Sequence, residues 1–382
     1  MDNRNNPIRI LHITEMLSAA GIESYIMNNY RRIDRTKVQF DFLVLRDQEE
    51  YYDEEVNRLG GRKYCISINI SNTLLRILEE SRQIKKFLKK NHYDIVHIHY
   101  TTPLRAPYLL AAKQAGVKTR IYHSHSAYVS GKSQTKMIVY KMMRKGIYKW
   151  ATHFFACSEA AAEWMYDEKT RNEKDVKVMF NGIDTVKFSF HPDERKKIRT
   201  QLGIEGKFVI IHTGRFKDQK NQSFILDVFK YFLSRNANSV LLLLGEGELL
   251  QEMKEKATYL GISNVVFFLG LKSNVADYLS AADCYIMPSL YEGLPVAAIE
   301  AECCGLPCVF SENITREVEL CPEVSFLGLD KSLENWSRKL EEYKSVKRNP
   351  KAAETIKKAG YDVQDCADML QKFYVEQSSK ER

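Results

Sequence analysis

Residues 289–307 have the sequence SLYEGLPVAAIEAECCGLP, and this stretch decides the fold of the chain. The run Cys284–Met287 before it is apolar and ends at a proline, which is typical of a buried strand that meets a turn. Pro295 suits the first turn of a helix, and Gly305 with Pro307 would end that helix about ten residues later. The stretch therefore predicts a strand, a glycine turn and a helix whose N-terminus faces the turn.

Glu292 and Glu300 are placed to contact one ligand. Glu292 lies in the predicted turn, and Glu300 lies further along the helix with its side chain directed back toward the same end. The free amides of Gly293 and Leu294, at the positive end of the helix dipole, predict a site for a phosphate or sugar oxygen. Because a carboxylate accepts hydrogen bonds from neighbouring hydroxyls, Glu300 suits a ribose diol and Glu292 suits a sugar beyond the phosphates. These groups together indicate a nucleotide-sugar.

The alternative is that Glu292 and Glu300 are exposed charges on a helix that packs through Val296, Ile299 and Cys303. The residues that frame the two glutamates favour the functional interpretation. A Pro-Ser pair before Glu292, seven residues between the glutamates and a Gly-Leu-Pro after them resemble the signature of the group 1 retaining glycosyltransferases of GT-B fold. Members of this family are used in bacterial capsule, exopolysaccharide or lipopolysaccharide synthesis.

Length and composition indicate a two-domain globular protein. The chain has 382 residues, which is enough for two domains that each bury a core. No run reaches the roughly 18 consecutive apolar residues that a membrane span needs. The first residues lead straight into a predicted strand rather than a signal peptide, which favours a cytoplasmic protein. None of the eight cysteines forms a C-x-x-C pair, so neither zinc nor disulfides are predicted.

The positive charge lies in the first half of the chain. Residues 1–190 hold 31 Lys and Arg against 21 Asp and Glu, a net +10, whereas the remainder holds 26 against 28, a net −2. An excess confined to one half predicts an anionic partner for that half, such as a membrane surface or a phosphate-bearing acceptor. No nucleic-acid-binding motif accompanies the charge, so nucleic acid is not expected as a partner.

Two predicted helices in this half, within Leu75–Lys90 and Gly131–Trp150, are basic and amphipathic. Their cations are Lys85, Lys86, Lys89 and Lys90 in the first, and Lys132, Lys136, Lys141, Arg144, Lys145 and Lys149 in the second. In the second helix, residues 139, 143, 147 and 150 form an apolar stripe. One interpretation is core-packed helices with solvated lysines, and the other is an interfacial pair that presses toward anionic lipid. The sequence leaves both open.

Short β-rich runs separated by helical stretches fill the first half. They are Ile8–Ile13, Val38–Leu45, Lys63–Ile66, Tyr93–His99, Arg120–His123, His153–Cys157 and Val176–Met179. This alternation predicts a doubly wound parallel sheet, whose ligands bind at the carboxyl ends of strands. By the resemblance, Gly21 belongs to the family's first glycine turn, although Ala20 stands where relatives carry a second glycine. The resemblance also implies that His125 contacts the transferred sugar, rather than acting as a structural hydrogen-bonder, and His123 is the weaker candidate.

The second half repeats the pattern. Its predicted strands are Phe208–Thr213, Val240–Leu244, Val265–Leu269, Cys284–Met287, Cys308–Phe310 and Val324–Leu327. The loop with Gly214, Arg215 and Lys220 follows the first strand, and the resemblance assigns it to the donor phosphates. With its planar guanidinium, Arg215 would bind the diphosphate together with the mobile charge of Lys220, and the two cations would replace a divalent ion. The alternative interpretation is that both are solvated cations in a loop. No Asp-x-Asp motif occurs, so neither a metal nor a cofactor is expected beyond the nucleotide-sugar co-substrate.

These observations predict an α/β protein of GT-B fold with two doubly wound, Rossmann-like domains facing a cleft. Residues 1–186 would form an N-terminal acceptor-binding domain and residues 206–360 a C-terminal nucleotide-sugar-binding domain. Residues 361–382 would form a helix that returns to the N-terminal domain.

The function implied by the resemblance is a retaining, metal-independent glycosyltransferase. It would move a sugar from a UDP-sugar to a glycan or lipid-linked acceptor in cell-surface polysaccharide synthesis, at the cytoplasmic face of the membrane. The implied catalytic residues are Glu292, His125, Arg215 and Lys220, and the implied donor-binding residues are Gly21, Gly214, Arg215, Lys220, Gly293, Leu294 and Glu300. Two alternatives are a sugar-nucleotide epimerase of related fold, which needs no acceptor, and a non-catalytic nucleotide-sugar-binding protein.

Overall fold

The computed structural model describes residues 6–18, 21–126, 134–330 and 332–380. The chain divides into two compact units, one made of Met1–Gly182 with Val363–Arg382 and the other of Ile183–Asp362. Three residues considered in the sequence, Ala20, Gly131 and Lys132, lie outside the described residues.

The first unit is built on a parallel sheet of order β3-β2-β1-β4-β5-β6-β7. Its strands are β1 Ile8–Thr14, β2 Val38–Val44, β3 Arg62–Cys65, β4 Ile95–Tyr100, β5 Thr119–Ser124, β6 His153–Ala156 and β7 Lys177–Val178. Its helices are α1 Gly21–Arg32, α2 Asp53–Arg58, α3 Thr73–Asn91, α4 Ala106–Gln114, α5 Gln134–Trp150, α6 Glu159–Met165, α7 Glu168–Glu173 and α15 Val363–Ser379. The strand order reverses between β1 and β4, which makes this the switch point where doubly wound folds bind ligands.

Helices cover both faces of this sheet. On one face, α1 and α15 pack against Phe40, Phe42 and Ile95, and Tyr374 of α15 is completely buried there. On the other face, α4 packs between α3 and α5. Because both faces are covered, most positions in the central strands are buried, which explains their nearly continuous apolar sequences.

The second unit repeats this plan with a parallel sheet of order β10-β9-β8-β11-β12-β13. Its strands are β8 Phe208–Thr213, β9 Ser239–Leu244, β10 Val266–Gly270, β11 Cys284–Met287, β12 Cys308–Ser311 and β13 Val324–Leu327. Its helices are α8 Pro192–Leu202, α9 Gln222–Leu233, α10 Leu250–Tyr259, α11 Val275–Ala281, α12 Val296–Cys303, α13 Leu333–Tyr343 and α14 Ala352–Ile356. Its switch point lies between β8 and β11, and these two strands precede the loops that contain Lys220 and Glu292.

Three arginines stabilise the amino edge of the second sheet. Arg195 and Arg199 each reach a different oxygen of Asp283 at 2.6 Å, and both also donate to carbonyls at the end of α11. Arg348 donates to the Ala282 carbonyl at 2.6 Å and lies 4.3 Å from the centre of the Phe190 ring. These arginines border a cavity of about 450 Å³. Since their donors satisfy carbonyls and a carboxylate, we interpret this cluster as structural.

The prediction of an α/β protein with two doubly wound parallel sheets is confirmed, and the predicted strands agree with the observed ones to within two residues. None of the eight cysteines is joined in a disulfide, and seven of them are buried. Within the described residues, no helix combines the length and the apolar content that crossing a bilayer requires.

Candidate active site

Two loops meet at the carboxyl edge of the second sheet. One follows β8 and contains a short 3-10 helix, Asp218–Lys220, and the other joins β11 to α12. The Leu290 amide donates to the Gln219 carbonyl at 2.8 Å, and Asn221 Nδ2 donates to the Pro288 carbonyl at 3.2 Å. Because β8 and β11 are neighbouring strands, these bonds hold the loop that contains Lys220 against the loop that contains Glu292.

The centre of this site is an ion pair between the two loops. Lys220 Nζ lies 2.6 Å from Glu292 Oε1, and the two side chains are only 18% and 8% exposed. Gln219 Nε2 donates to the other carboxylate oxygen of Glu292 at 3.2 Å and to the Tyr291 carbonyl at 3.0 Å. Both Glu292 oxygens therefore have partners, and the carboxylate is fixed in position.

Arg215 stands apart from this pair. Its side chain is exposed and has no ion-pair partner among the described residues, while its carbonyl accepts a bond from Gln222 Nε2 at 2.9 Å. That bond fixes the backbone from which the guanidinium projects. Arg215 therefore offers a cation that is available to an anionic ligand.

Gly214 provides space beside Lys220. A Cβ atom at this position would lie 3.1 Å from His212 Nε2 and 3.4 Å from Lys220 Cδ. His212 is buried and its Nδ1 lies 2.8 Å from the Ile286 carbonyl, whereas its Nε2 has no hydrogen-bond partner among the described residues. Burial lowers the pKa of His212 to about 4, so its imidazole is neutral near pH 7.

Helix α12 begins at Val296, directly after Pro295. Among the described residues, neither the Gly293 amide nor the Leu294 amide donates to another protein group. The helix ends before Gly305, whose φ of +73° is a left-handed conformation that favours glycine. The predicted strand, turn and helix are therefore present, and two amides remain available at the helix N-terminus.

Glu300 is partly buried on α12. Burial raises its pKa to about 7, and the positive charge of Lys187 partly opposes this shift. Glu300 is thus partly shielded from water, and among the described residues no cation forms an ion pair with it, unlike Glu292. A carboxylate in such a setting gains from hydroxyl groups that donate to it.

Sequence reasoning missed Gln219, His212 and Lys187. Gln219 has no signature of its own, because its role depends on the short helix that turns it toward Glu292. His212 is the fifth residue of an apolar strand. This position in a buried strand is the one signal in the sequence that could have indicated a buried imidazole. Lys187 follows the last residue of the predicted first domain and has no recognisable motif.

In the first unit, His125 belongs to a set of five histidines on one face of the sheet. One row, here called the His99 row, joins His12, His99 and His125, with His12 Nδ1 and His125 Nε2 each 2.9 Å from a nitrogen of His99. A second row, the His97 row, joins Tyr374, His97 and His123 at 2.6 and 3.2 Å. His97 stacks on His99, and His123 stacks on His125, with ring centres 4.0 Å apart in both pairs.

Gly21 is the first residue of α1, and a Cβ atom there would meet no atom of the described residues within 4 Å. The described residues therefore leave the space beside Gly21 open, and their packing does not require a glycine there. The same first turn of α1 carries Glu23, which is buried and accepts from Thr14 Oγ1 at 3.3 Å.

The two basic helices of the first unit present apolar side chains to solvent. In α3, Leu74, Leu75 and Leu78 are exposed near its start. In α5, Ile138 and Met142 are exposed beside lysines, while Tyr140 and Ile147 face the core. Arg144 is not available for a partner, because its guanidinium lies 4.9 Å from the centre of the Trp164 ring and donates to the Trp164 carbonyl.

Comparison with known proteins places this geometry in a family. Residues 194–363 match the family described as glycosyl transferases group 1, and residues 19–187 match glycosyltransferase family 4. The chain is 33% identical over 375 residues to the candidate glycosyltransferase EpsF of Bacillus subtilis (strain 168), covering 96% of each protein. It is 28% identical over 323 residues to UDP-Gal:alpha-D-GlcNAc-diphosphoundecaprenol alpha-1,3-galactosyltransferase of Escherichia coli, covering 81% of each.

Among solved structures, Anabaena Alr3699/HepE in complex with UDP superposes with a TM-score of 0.75 at 19% identity, covering 96% of this chain and 99% of the other. This likeness shows the GT-B fold. The protein is therefore a GT-B glycosyltransferase. The chain belongs to the group 1 glycosyltransferases, as the sequence motif around Glu292 and Glu300 predicts.

Proposed function

We propose that this glycosyltransferase takes a UDP-sugar as donor and transfers the sugar, with retention and without a metal ion, to a lipid-linked glycan. The observation that carries the donor site is the Lys220–Glu292 ion pair at 2.6 Å beside the two available amides of Gly293 and Leu294. Cation, carboxylate and amides lie on two loops at one switch point, which suits a ligand that is anionic at one part and hydroxylated at the other.

Within this proposal each side chain has a distinct role. Arg215 and Lys220 neutralise the diphosphate that leaves, which is the main catalytic effect when no metal takes part. Glu300 accepts hydrogen bonds from the ribose, and Glu292 with the Gly293 and Leu294 amides orients the sugar. Gly214 gives Lys220 room to reach the phosphates.

His125 and Gly21 carry the contributions of the first unit. His125 contacts the transferred sugar, and the open space at Gly21 admits the acceptor or a phosphate. Retention follows if the acceptor hydroxyl attacks on the face from which the diphosphate departs. A phosphate oxygen of the leaving group then takes the proton of that hydroxyl, so no protein nucleophile is needed.

The named relatives support the choice of substrates. The Escherichia coli relative uses UDP-Gal and an acceptor on diphosphoundecaprenol, by its name. A Staphylococcus aureus relative, 25% identical over 321 residues, is a capsular polysaccharide biosynthesis glycosyltransferase, CapH. These relatives support our proposal that this chain acts in cell-surface polysaccharide synthesis on an acceptor carried by a lipid diphosphate.

A lipid-linked acceptor requires approach to a membrane, and the exposed apolar residues suggest where. Parallel strands place the N-termini of α3 and α5 at the same edge of the sheet, and both helices pack beside α4. The exposed residues Leu74 and Leu78 therefore lie at the same edge as Ile138, which adjoins Lys141 and Lys145. We propose that this edge makes peripheral contact with an anionic membrane at its cytoplasmic face.

The experiment that tests the function separates three activities. Thermal shift with a set of UDP-sugars would identify the donor, and turnover would then be followed with undecaprenyl-diphosphate-linked sugars. We expect release of UDP that depends on the acceptor. An altered UDP-sugar without any acceptor would instead show an epimerase, and binding without turnover would show a sensor.

A further inference from the structure

The His99 row has a property that the individual histidines lack. His99 uses both of its ring nitrogens, since Nε2 lies 2.9 Å from His12 Nδ1 and Nδ1 lies 2.9 Å from His125 Nε2. A neutral imidazole has one N–H and one bare nitrogen. The position of the proton on His99 therefore determines the direction of both hydrogen bonds. A change of tautomer at one of the three rings requires a change at the other two.

Burial keeps the row neutral. The pKa values of His12 and His125 are lowered to about 3 by burial, and that of His99 is well below its usual range for the same reason. The row lies against aromatic rings, including Phe40, 4.1 Å from His12, and Tyr25, 5.3 Å from His125. No charged side chain hydrogen-bonds to it among the described residues.

Two arrangements of protons satisfy this geometry. In one, His12 carries its proton on Nε2, and His125 donates through Nε2 and leaves Nδ1 bare. In the other, His12 donates from Nδ1 to His99, His99 donates from Nδ1 to His125, and His125 carries its own proton on Nδ1. The two arrangements give His125 opposite hydrogen-bonding character at its free edge.

The buried end of the row distinguishes between them. His12 Nε2 is buried and has no hydrogen-bond partner among the described residues. A buried N–H without an acceptor is rarer than a buried acceptor without a donor. The arrangement in which His12 Nε2 is bare is therefore favoured, and it places a proton on His125 Nδ1.

We propose that His99 and His12 are positioning residues that hold His125 as the neutral Nδ1–H tautomer, so that it donates a hydrogen bond to an oxygen of the transferred sugar. This inference rests on the proposed function of His125. It adds that His125 is a donor and not a general base, because its only bare nitrogen is occupied by His99. The partner atom on the substrate must accordingly be a hydrogen-bond acceptor.

A metal centre is the competing interpretation of the same cluster. Ring nitrogens of His12, His97 and His99, and of His99, His123 and His125, lie within 4.8 Å of one another. However, the rows stack with planes 28° apart, so their nitrogens point along each row toward neighbouring nitrogens and not to one shared point. A metal would have to break the hydrogen bonds that order the row.

The test is long-range ¹H–¹⁵N NMR of the full chain labelled in its histidines, with His125→Gln used to assign the His125 signals. We expect His125 Nε2 to appear as a bare nitrogen and Nδ1 as a protonated one. His12→Phe removes the first donor and should give a mixture of both His125 tautomers. His12→Asn, whose amide can still donate to His99, should restore the Nδ1–H form.

Kinetics provide the second readout. In His12→Phe, turnover should fall about tenfold, the effect expected when a hydrogen bond in the transition state is weakened. Binding of UDP, measured by calorimetry, should stay within about twofold. Tyr374→Phe is a matched control, because it removes a buried bond of the His97 row and should change neither tautomer nor turnover.

Three outcomes would overturn the inference. They are an Nε2–H proton on His125 in the native protein, an unchanged His125 tautomer in folded His12→Phe, and a shift of the ring-nitrogen signals of the His99 row to those of metal-bound imidazole on addition of stoichiometric Zn²⁺, which would establish a metal site. The tautomer measurement needs no turnover. If the native protein transferred no sugar, the proposed function would fail while the tautomer assignment would stand or fall on its own spectrum.

Discussion

Lys220 Nζ lies 2.6 Å from Glu292 Oε1, which joins the residue proposed for the diphosphate to the residue proposed for the sugar. Because both side chains are mostly buried, removing one charge leaves the other without compensation. The pair thus couples the two halves of the donor site. Substitutions at the two positions are expected to have different effects, since only Lys220 can neutralise phosphate.

Lys220→Gln should weaken binding of both UDP and the UDP-sugar, because it removes a cation from the diphosphate site and leaves Glu292 as an uncompensated anion nearby. The loss for a charged hydrogen bond is about 1.5–3 kcal/mol, or roughly 10-fold to 150-fold in affinity. Isothermal titration calorimetry with UDP measures it directly.

Glu292→Gln is the matched variant, since it keeps the shape of the side chain and removes its charge. It should leave UDP binding unchanged or slightly stronger, because Lys220 is freed, while sugar transfer falls by at least about tenfold. Equal loss of UDP affinity in both variants would contradict the division of roles between phosphate and sugar.

Glu300 gives a pH-dependent prediction. Burial raises its pKa to about 7, and the ionised carboxylate is the better acceptor for a ribose diol. Donor affinity should therefore increase as the pH rises through about 7, by up to about tenfold for each unit below that value. Calorimetry with UDP-galactose or UDP-glucose is suitable, since the diphosphate of a UDP-sugar has no group that titrates in this range.

Glu300→Ala should weaken donor binding at every pH, and Glu300→Gln should remove the pH dependence of donor binding.

The stability of the unliganded chain provides a control, because stability should fall with rising pH while donor affinity increases. Because folding raises the pKa of Glu300, its protonated carboxyl contributes to the stability of the folded chain. This contribution is fully present below the ordinary glutamate pKa of 4.5 and is lost as the pH rises through about 7. Glu300→Gln should consequently gain stability over the native chain with rising pH, by up to roughly 1.4 kcal/mol per unit. An unchanged difference in melting temperature from about pH 5 to pH 8 would show that Glu300 is already solvated.

Much of this arrangement can be predicted from the sequence. Some strands are short runs directly followed by glycine or proline, so Cys284–Met287 and Val324–Leu327 are located to the residue. The donor-site candidates share one edge because parallel strands bring their following loops together. The histidine rows cannot be predicted in this way, since His12, His97 and His123 become neighbours only through the strand order and register of the sheet.

A substitution of Gly305 tests how tightly the turn between α12 and β12 is constrained. Its φ is +73°, and a Cβ atom there would lie 2.4 Å from the Asn349 carbonyl oxygen. Gly305→Ala should destabilise the second unit by about 2–4 kcal/mol, because both the backbone and the contact are strained. Gly203 is a matched control, since its φ is +64° and no atom of the described residues lies within 4 Å of the added Cβ, and Gly203→Ala should cost only about 1 kcal/mol. Urea denaturation would measure both, and equal losses would mean that the loop around Asn349 adjusts freely.

Metal independence can be tested by chelation. Arg215 and Lys220 supply positive charge at the proposed diphosphate site, and no Asp-x-Asp motif is present in the sequence. Activity should therefore persist in excess EDTA and should not rise when Mg²⁺ or Mn²⁺ is restored. Arg215→Lys is informative here, since it keeps the charge but loses the planar fork, and it should reduce turnover more than UDP affinity. Loss of activity in EDTA that Mg²⁺ recovers would refute the proposed chemistry.

The membrane proposal predicts which lysines matter. Lys141 and Lys145 adjoin the exposed residue Ile138, whereas Lys89 and Lys90 lie at the opposite end of α3 from its exposed leucines. Each cation near an anionic surface contributes about 1 kcal/mol, an effect that salt screens. Lys141→Glu with Lys145→Glu should therefore abolish sedimentation with phosphatidylglycerol vesicles at low salt and leave UDP binding intact.

The matched control is Lys89→Glu with Lys90→Glu, which changes the net charge by the same amount at the far end of the helix. This variant should still sediment, because a helix of 19 residues places its two ends about 28 Å apart, well beyond the screening length at physiological salt. Leu74→Gln with Leu78→Gln should weaken sedimentation even at low salt, since the apolar contact is lost while the charge is unchanged. If both lysine pairs reduce sedimentation equally, binding depends on overall charge alone, and the proposed edge of the sheet has no special role.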